Sequence, residues 1–251
     1  SSSQKEITEV NSGIMAFKAK DLIRLLGKIR NNNKAKEFYL TDAVYEAHLE
    51  KLNIQSLRLS DADEVLGCNT PEELQVLEKA YHVSTAKKFL NKGVSFADIE
   101  KVKFRGNVSI EKGAFIDENV IFEGAVSVGA NAKIGPGCVV SNSSIGKNSE
   151  LLAYSYVEES MLESNAKAGP FSHIGVQTKM EEGAEIGNFV ETKRSNIGAN
   201  SKAKHLAYIG DGRIGKGVNI GAGTIFCNYD GVKKHITKIE DDAFIGSNSA
   251  L

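Results

Sequence analysis

The stretch VGANAKIGPGCVV at residues 128–140 places an aliphatic side chain at every sixth position: Val128, Ile134 and Val140. The same period continues outward from about residue 105 to the last residue of the chain, with one-residue skips, one poorly matching hexad within residues 187–193 and an interruption between Ile220 and Ile239. A period of six matches neither the turn of an α-helix nor the alternation of a simple strand. It is typical of the hexapeptide repeat of a parallel β-helix, in which three hexads close one triangular coil. The sequence therefore predicts a β-helix of roughly eight coils, with an antiparallel sandwich as the alternative.

The other hexad positions are mostly apolar, and many of them precede a glycine. They are Ile110, Ile116, Phe122, Ile145, Leu151, Val157, Leu162, Ala168, Ile174, Met180, Ile186, Ile197, Ala203, Ile209, Ile214, Ile220, Ile239, Ile245 and Leu251. Glycine accepts the backbone conformations of tight turns. Turn formation in the coils therefore explains why the chain has 24 glycines and only 3 prolines.

The first ninety-odd residues lack this period. Residues 20–30 and 43–52 have the apolar spacing of amphipathic helices, whereas residues 54–59 alternate like a β-strand. Thr70 and Pro71, followed by two glutamates, predict the start of a further helix.

These patterns divide the chain into three segments. We expect an α/β N-terminal part at residues 1–69, a helical linker at residues 70–104 and the β-helix at residues 105–251. The helix of the linker is expected to run to about residue 91.

The charged residues nearly cancel, with 31 Lys+Arg against 32 Asp+Glu and a formal net charge of −1. This balance argues against a nucleic acid or an anionic membrane as the main partner. No segment reaches the roughly 18 apolar residues of a membrane-spanning helix, and the first residues are polar, unlike a signal peptide. Cys68, Cys138 and Cys227 have no metal-ligand spacing. We expect them to be reduced and the protein to be cytoplasmic.

Three segments break the repeat and contain most of its reactive side chains: residues 187–193, 202–210 and 221–231. One coil contains about 18 residues. The 12 residues from Lys193 to His205 therefore place these two side chains on different faces of neighbouring coils. Such side chains meet more readily between subunits than within one prism, which favours a symmetric oligomer with sites at its seams.

His205 is the strongest candidate for a catalytic residue. A histidine between apolar residues often has only a structural role, but Lys193, Tyr208, Asn228 and Tyr229 lie in the same group of coils. An imidazole that titrates near neutrality can take a proton from an amine as the amine attacks a thioester. The pattern therefore favours general-base catalysis.

A zinc site is the rival interpretation of the histidines. Its ligands would be His173, His205 and His235, which are separated by 32 and 30 residues. These separations match no usual zinc-ligand spacing.

The three segments resemble a family of bifunctional bacterial enzymes. GNFVETK at residues 187–193, KAKHLAYIG at 202–210 and IGAGTIFCNYDG at 220–231 are similar to motifs of the glucosamine-1-phosphate N-acetyltransferase and N-acetylglucosamine-1-phosphate uridylyltransferase family, which makes UDP-N-acetylglucosamine. The segments EVNSGI at 9–14, NNN at 31–33, EFYLTD at 37–42 and GCN at 67–69 also follow in family order. The resemblance therefore covers essentially the whole chain.

For the acetyltransferase half, the resemblance implies a left-handed parallel β-helix and a homotrimer with sites between neighbouring β-helices. His205 would be the general base toward the 2-amino group of glucosamine 1-phosphate, with acetyl-CoA as co-substrate. The resemblance further implies phosphate binding by Lys193, a sugar pocket with Tyr208 and Asn219, orientation of the substrate and of the acetyl-CoA thioester by Asn228 and Tyr229, and a CoA site lined by Ala222 and Ser247.

For the uridylyl half, the resemblance implies that residues 1–69 are the C-terminal part of a Mg²⁺-dependent nucleotidyltransferase domain that acts on UTP. Asn69 matches a Mg²⁺ ligand, which suits the preference of this ion for oxygen, and Asn11 matches a sugar-nucleotide contact. The family's lysine-bearing nucleotide loop and its acidic Mg²⁺ ligand would precede residue 1, and its last coils would follow Leu251. We therefore expect the chain to be the middle of a longer enzyme, with an incomplete uridylyl site.

One position of the acetyltransferase half departs from the family pattern. After the Gly-Pro-Phe motif at residues 169–171, Gly175 stands where the family has an arginine that binds substrate phosphate. We expect weaker phosphate binding unless Lys193, His173 or Lys179 replaces this bidentate contact. Two other functions stay open: an acyltransferase for another amino sugar, and a non-catalytic trimerising β-helix.

Overall fold

The computed structural model describes residues 11–59 and 62–251. The chain divides into two compact units, Ser1–Leu77 and Glu78–Leu251. The predicted motif at residues 9–14 lies partly outside the described residues.

The described part of the first unit is helical. It contains α1 (Ala19–Leu26), α2 (Asp42–Leu49), a 3₁₀ turn (Ala62–Val65) and the first residues of α3 (Pro71–Leu90). Its small core consists of Leu25, Ala43 and Ala47, with Phe17, Ile29 and Leu52 packed against them. The two helices predicted here are confirmed, although both are shorter than expected.

The strand predicted at residues 54–59 is wrong. These residues form no β-strand in the described part of the chain, and all six are exposed. Leu57, the most exposed, has 86% of its surface accessible. An alternating sequence becomes a strand only when a second strand supplies ladder hydrogen bonds, and no described strand is paired with residues 54–59.

The start of α3 follows the prediction from Thr70 and Pro71. The Thr70 hydroxyl accepts a hydrogen bond from Glu73 N at 3.2 Å, and the Glu73 carboxylate accepts hydrogen bonds from the backbone N–H groups of Asn69 and Thr70 at 2.6 and 3.3 Å. This is a capping box, which satisfies backbone donors that the first helical turn leaves free. No helix in the described residues is long and apolar enough to cross a lipid bilayer.

The second unit consists of the end of α3 and a stack of short parallel strands. Within the described residues the strands are β1 (Ser95–Phe96), β2 (Lys103–Ile110), β3 (Phe115–Ile116), β4 (Ile121–Val128), β5 (Lys133–Ile134), β6 (Val139–Ser141), β7 (Ser144–Ile145), β8 (Glu150–Leu151), β9 (Tyr156–Glu158), β10 (Met161–Leu162), β11 (Lys167–Ala168), β12 (His173–Ile174), β13 (Lys179–Met180), β14 (Glu185–Asn188), β15 (Glu191–Lys193), β16 (Asn196–Ile197), β17 (Lys202–His205), β18 (Tyr208–Gly210), β19 (Gly212–Ile214), β20 (Asn219–Ile220), β21 (Thr237–Ile239) and β22 (Phe244–Ile245).

The strands form the three faces of a prism. The first face has the order β1-β3-β5-β8-β11-β14-β17-β20-β22. The second face runs from β4 through β6, β9, β12 and β15 to β18, and the third runs from β4 through β7, β10, β13, β16 and β19 to β21. The long strands β2 and β4 pair in parallel along their whole length and join these two faces into one sheet. The predicted left-handed parallel β-helix is confirmed, and the antiparallel sandwich is wrong.

The hexad residues fill the prism in three columns. Ile134, Leu151 and Ala168 lie inside the first face, Val140, Val157 and Ile174 inside the second, and Ile145, Leu162 and Met180 inside the third; all nine are buried. The poorly matching hexad is occupied by Thr192, which is also fully buried. Its hydroxyl has no hydrogen-bond partner within the described residues. The repeat therefore continues through residues 187–193 with a polar residue at an interior position.

Aromatic packing closes the start of the prism. Phe104 stacks between Phe89 of α3 and Phe122 of β4, with ring centroids 5.8 Å apart on both sides. His82 of α3 is buried beside them, and its Nδ1 accepts a hydrogen bond from Phe104 N at 3.1 Å. The end of α3 therefore covers the first coil and satisfies one of its backbone donors.

The second unit is expected to lose stability as the pH falls below about 6.5. Burial, reinforced by the positive charge of Lys103, lowers the pKa of His82 in the folded chain. The unfolded chain keeps the ordinary pKa of about 6.5, so it binds more protons than the folded chain below that pH, and the free energy of unfolding decreases. Urea unfolding at several pH values from about 8 down to about 5 measures this dependence.

The control is His82→Asn, because an asparagine oxygen can accept the Phe104 N–H but does not titrate. This variant should show a weaker dependence of the unfolding midpoint on pH. Equal dependence in both proteins would mean that His82 contributes nothing to it.

Candidate functional site

His205 is the last residue of β17 and is exposed at the end of the first face. It lies opposite Asn188 of β14, and its Nδ1 is 2.6 Å from Asn188 Oδ1. An amide oxygen only accepts, so in this contact Nδ1 donates to Asn188 Oδ1, and in the neutral form of the ring the lone pair is then on Nε2. The pair therefore presents Nε2 as a base.

Asn188 was missed as a site residue. Its contact with His205 depends on the register of two strands in adjacent coils. The signal in the sequence was its position, 17 residues before His205. The close approach also needs Gly187, because a Cβ at that position would collide with the carbonyl group of Lys204.

Lys193 lies on a different face from His205. It is the last residue of β15 on the second face, where it pairs with Gly210 of the next coil. The predicted placement on different faces of neighbouring coils is confirmed.

Tyr208, on the second face, meets Asn228, which lies at the corner between the second and third faces. Tyr208 begins β18, and its Oη is 3.5 Å from Nδ2 of Asn228, which is only 8% exposed. Gly210 leaves the space for this approach, since a Cβ there would lie 2.5 Å from both atoms. The structure thus brings together two of the residues predicted from the sequence.

Asn228 also contacts a partly buried ion pair. Its Nδ2 donates to Asp211 Oδ2 at 2.6 Å, and Arg194 holds the same carboxylate through Nε at 2.6 Å and Nη2 at 2.7 Å. The Arg194 guanidinium holds the pKa of the Asp211 carboxyl below its usual range, and Asn228 adds to this effect. We call Arg194, Asp211 and Asn228 the corner triad.

The sequence interpretation missed Arg194 and Asp211. Both lie at the corner between the second and third faces, with φ values of +49° and +53°. Their signal was the spacing of 17 residues that separates Arg194 from Asp211 and Asp211 from Asn228.

Tyr229 begins an exposed loop that interrupts the coil. Its hydroxyl donates to the carbonyl oxygen of Gly231 at 2.6 Å. Asp230 organises this loop, because its carboxylate accepts hydrogen bonds from Val232 N and Lys233 N at 2.8 and 2.7 Å and contacts His235 Nε2 at 2.7 Å. These hydrogen bonds, led by that from Lys233, hold the pKa of Asp230 well below its usual range.

The last described coils of the prism contain Asn219, predicted for the sugar pocket, and Ala222 and Ser247, predicted for the CoA site. Asn219 belongs to β20 and pairs with Phe244. Ala222 follows in the same coil, and its carbonyl oxygen accepts a hydrogen bond from Asn248 N at 2.8 Å. Because Ser247 directly precedes Asn248, Ala222 and Ser247 lie in adjacent coils at one corner.

Asn11 and Asn69 belong to the first unit. Asn11 Oδ1 accepts a hydrogen bond from Gly13 N at 2.9 Å, within its own turn, and Asn69 N donates to Glu73. Within residues 11–59 and 62–251, no group of three or more His, Cys, Asp or Glu side chains could hold a metal ion. The Mg²⁺ and sugar-nucleotide roles stay predictions.

The three histidines of the rival zinc interpretation contact different partners. His173 Nε2 is 3.2 Å from Glu158 Oε1, His205 contacts Asn188, and His235 contacts Asp230. The described chain does not bring them together as a metal-binding group.

Gly175 is required by close packing of the second face. A Cβ at this position would lie 2.6 Å from the carbonyl oxygen of Thr192 in the next coil. Lys179, one candidate to replace the family arginine, lies on the third face and pairs with Glu163 at 2.7 Å. His173 is on the same face as Gly175, where its imidazole contacts Glu158.

Comparisons with known proteins match the β-helix. A family model described as the GMPPB C-terminal domain matches residues 104–174. Among solved structures, the chain is similar to a Bacillus cereus protein described as an acetyltransferase, with 16% identity, a TM-score of 0.30 and coverage of 63% of this chain and 77% of that one. The family-model match ends before the residues of the candidate site.

Two further solved structures are similar to the chain. A variant of perosamine N-acetyltransferase from Caulobacter crescentus, in complex with CoA and GDP-perosamine, has 14% identity, a TM-score of 0.25 and coverage of 66% of this chain and 62% of that one. A UDP-N-acetylglucosamine acyltransferase has 15% identity, a TM-score of 0.25 and coverage of 53% of this chain and 61% of that one.

Proposed function

We propose that the chain transfers an acetyl group from acetyl-CoA to the 2-amino group of glucosamine 1-phosphate. The contact of His205 Nδ1 with Asn188 Oδ1 is the observation that carries this proposal, because it presents Nε2 as a base at the end of the first face. An amine must lose a proton when it attacks a thioester, and a positioned imidazole is suited to accept that proton.

The reaction balances with His205 as the proton carrier. The amine nitrogen attacks the thioester carbonyl carbon, a C–N bond forms, and His205 Nε2 takes the proton. The C–S bond then breaks, and the CoA thiolate leaves and receives the proton from the imidazolium. Amide and free thiol are the products, and His205 returns to its neutral form.

The other site residues receive binding roles in this proposal. Lys193 binds the sugar phosphate, and Tyr208 and Asn219 contact the sugar. Asn228 and Tyr229 orient the substrate and the thioester, while Ala222 and Ser247 line the CoA site. The buried position of Asn228 and its contact with Tyr208 support a shared pocket for these two residues.

A homotrimer is part of the proposal. Lys193 and His205 lie on different faces, so they serve one substrate most readily when they come from neighbouring chains. The corner between the first and second faces carries an exposed apolar column that a second copy could cover. It consists of Tyr154, Phe171, Phe189 and Leu206, and its rings stack with centroids 5.3 and 5.6 Å apart.

For the complete protein we further propose a cytoplasmic location and a Mg²⁺-dependent uridylyl half that acts on UTP. In this proposal residues 1–69 belong to the nucleotidyltransferase domain, residues 70–104 are the linker, and Asn11 contacts the sugar nucleotide. Of the Mg²⁺ ligands that the resemblance implies, only Asn69 falls within the described residues, and a single neutral oxygen does not fit a Mg²⁺ ion, which prefers charged carboxylates and water. We therefore assign no step of uridylyl transfer to these residues.

A substrate panel tests the proposed acetyl transfer. The protein is incubated with acetyl-CoA and, separately, glucosamine 1-phosphate, glucosamine 6-phosphate, galactosamine 1-phosphate or glucosamine, and release of the CoA thiol is followed. We expect kcat/KM for glucosamine 1-phosphate to exceed the others by at least about tenfold, because a pocket with hydrogen-bonding groups rejects analogues that leave those groups unpaired.

Preference for another amino sugar would replace the proposal with a different acyltransferase activity. Absence of turnover, together with no rise of the thermal midpoint on adding acetyl-CoA, would favour a non-catalytic trimerising β-helix.

A further inference from the structure

Three polar residues stack at one corner of the prism, between the second and third faces. Arg194, Asp211 and Asn228 follow each other at intervals of 17 residues, so each occupies the same position in successive coils. The neighbouring corner residues Glu159 and Gln177 also have positive φ, but the chain of side-chain hydrogen bonds begins at Arg194. The corner triad is therefore a local feature of the coils that contain the candidate site.

The centre of the triad is buried and fully engaged. Asp211 is 9% exposed and Asn228 is 8% exposed. Both carboxylate oxygens of Asp211 accept hydrogen bonds, Oδ1 from Arg194 Nε, and Oδ2 from Arg194 Nη2 and Asn228 Nδ2. A buried carboxylate is tolerated only with such partners, so the arrangement has little freedom to change.

The carboxylate fixes the orientation of the Asn228 amide. An ionised carboxylate can only accept hydrogen bonds, so Asn228 must direct its NH₂ group toward Asp211. Its Oδ1 is then directed away from Asp211, and no residue in the described parts of the chain donates a hydrogen bond to it. This oxygen is available to accept an N–H or O–H group from a bound molecule.

We propose that Asp211 is a positioning residue, clamped by Arg194, which holds the Asn228 amide so that Oδ1 accepts a hydrogen bond from the bound substrate or the acetyl-CoA arm. The identity of the bound molecule rests on the proposed function, whereas the clamp itself is independent of it. Gly210 completes the arrangement, since it leaves room for Tyr208 Oη beside Asn228 Nδ2.

Kinetics of two clamp variants of the full chain test this proposal. Asp211→Asn keeps the shape of the side chain and removes its charge. Arg194→Lys keeps a positive charge and removes the bidentate contact. We expect Asp211→Asn to lower kcat/KM by about ten- to a hundredfold, because it removes charge-assisted hydrogen bonds, and Arg194→Lys to cause a smaller loss. If Asp211→Asn does not fold, the kcat/KM of Arg194→Lys alone tests the proposal.

A double substitution separates positioning from general damage. If Asp211 acts through Asn228, then Asp211→Asn combined with Asn228→Ala should be within about twofold of Asn228→Ala alone. Independent, multiplying losses would overturn the proposal. Asp242→Asn is the matched control, because Asp242 also occupies a corner position, with φ +57°, but is exposed; it should leave kcat/KM unchanged within about twofold.

Crystal structures of the wild type and of Asp211→Asn test the clamp without any assay, because this variant removes the carboxylate that orients the Asn228 amide. We expect the Asn228 amide to be rotated or to adopt two orientations in the variant. An unchanged Asn228 in the variant would overturn the proposal even if the wild type is active. A displaced Asn228 in a protein whose wild type transfers no acetyl group would support the clamp and reject only the proposed function.

Discussion

Replacing His205 with alanine should lower kcat for acetyl transfer by about 10²- to 10⁴-fold, the usual contribution of a positioned general base. The substitution removes Nε2, which is the only atom in the proposed reaction that takes the proton of the attacking amine. Because His205 is exposed at the end of β17, its removal creates no cavity, and the thermal midpoint should change little. The measurement is the rate of CoA thiol release by the complete protein at saturating substrates.

Two further variants make this result specific. His48→Ala removes another exposed histidine, which lies on α2 of the first unit, and should leave kcat unchanged. Asn188→Ala leaves the imidazole in place but removes the partner of Nδ1, so we expect an intermediate loss of about fivefold, the value of one hydrogen bond of roughly 1 kcal/mol. If His205→Ala retains activity within a few-fold of wild type, His205 is not the base.

The β-helix could be predicted from the sequence because its determinant is local and repeated. Each hexad places one side chain inside the prism, so the aliphatic period is visible without knowledge of any contact. The same regularity explains why Lys193 and His205 could be assigned to different faces from their spacing alone. Thr192 occupies an interior position of the repeat and is fully buried. A polar residue at one such position therefore does not change the fold.

The corner triad and Asn188 could not be predicted in the same way. Their contacts join residues in adjacent coils, and they depend on the 17- or 18-residue length of each coil and on the side-chain conformations at a corner. Once the register is known, Arg194, Asp211 and Asn228 occupy the same corner position in successive coils. The prediction from the sequence assigned residues to the faces of the prism and did not compare corner positions.

The wrong strand at residues 54–59 has a different cause. The alternation of apolar and polar residues fits the two faces of a β-strand. Whether a strand forms also depends on a second segment of the chain that pairs with it. The two helices of the first unit were predicted correctly because helix hydrogen bonds form within the segment itself.

Phe104→Ala should cost the second unit about 3–5 kcal/mol in the free energy of unfolding, the range for removing a large buried aromatic side chain. Phe104 is 1% exposed and stacks on both Phe89 and Phe122. Its loss would leave a cavity between α3 and the first coil, which those three rings join. In a stack of coils each coil is stabilised mainly by its neighbours, so damage at the covered end should weaken the coils that follow.

Urea unfolding followed by far-ultraviolet circular dichroism measures this loss, and Phe244→Ala is the matched control. Phe244 is also a phenylalanine of a β-helix strand, but it is 77% exposed. Its truncation should therefore cost less than about 0.5 kcal/mol, as for most surface substitutions. Comparable losses in the two variants would show that the stack does not join α3 to the prism. A large loss confined to Phe104→Ala would identify the end of α3 as the cap that protects the open end of the first coil, which would otherwise expose unpaired backbone groups.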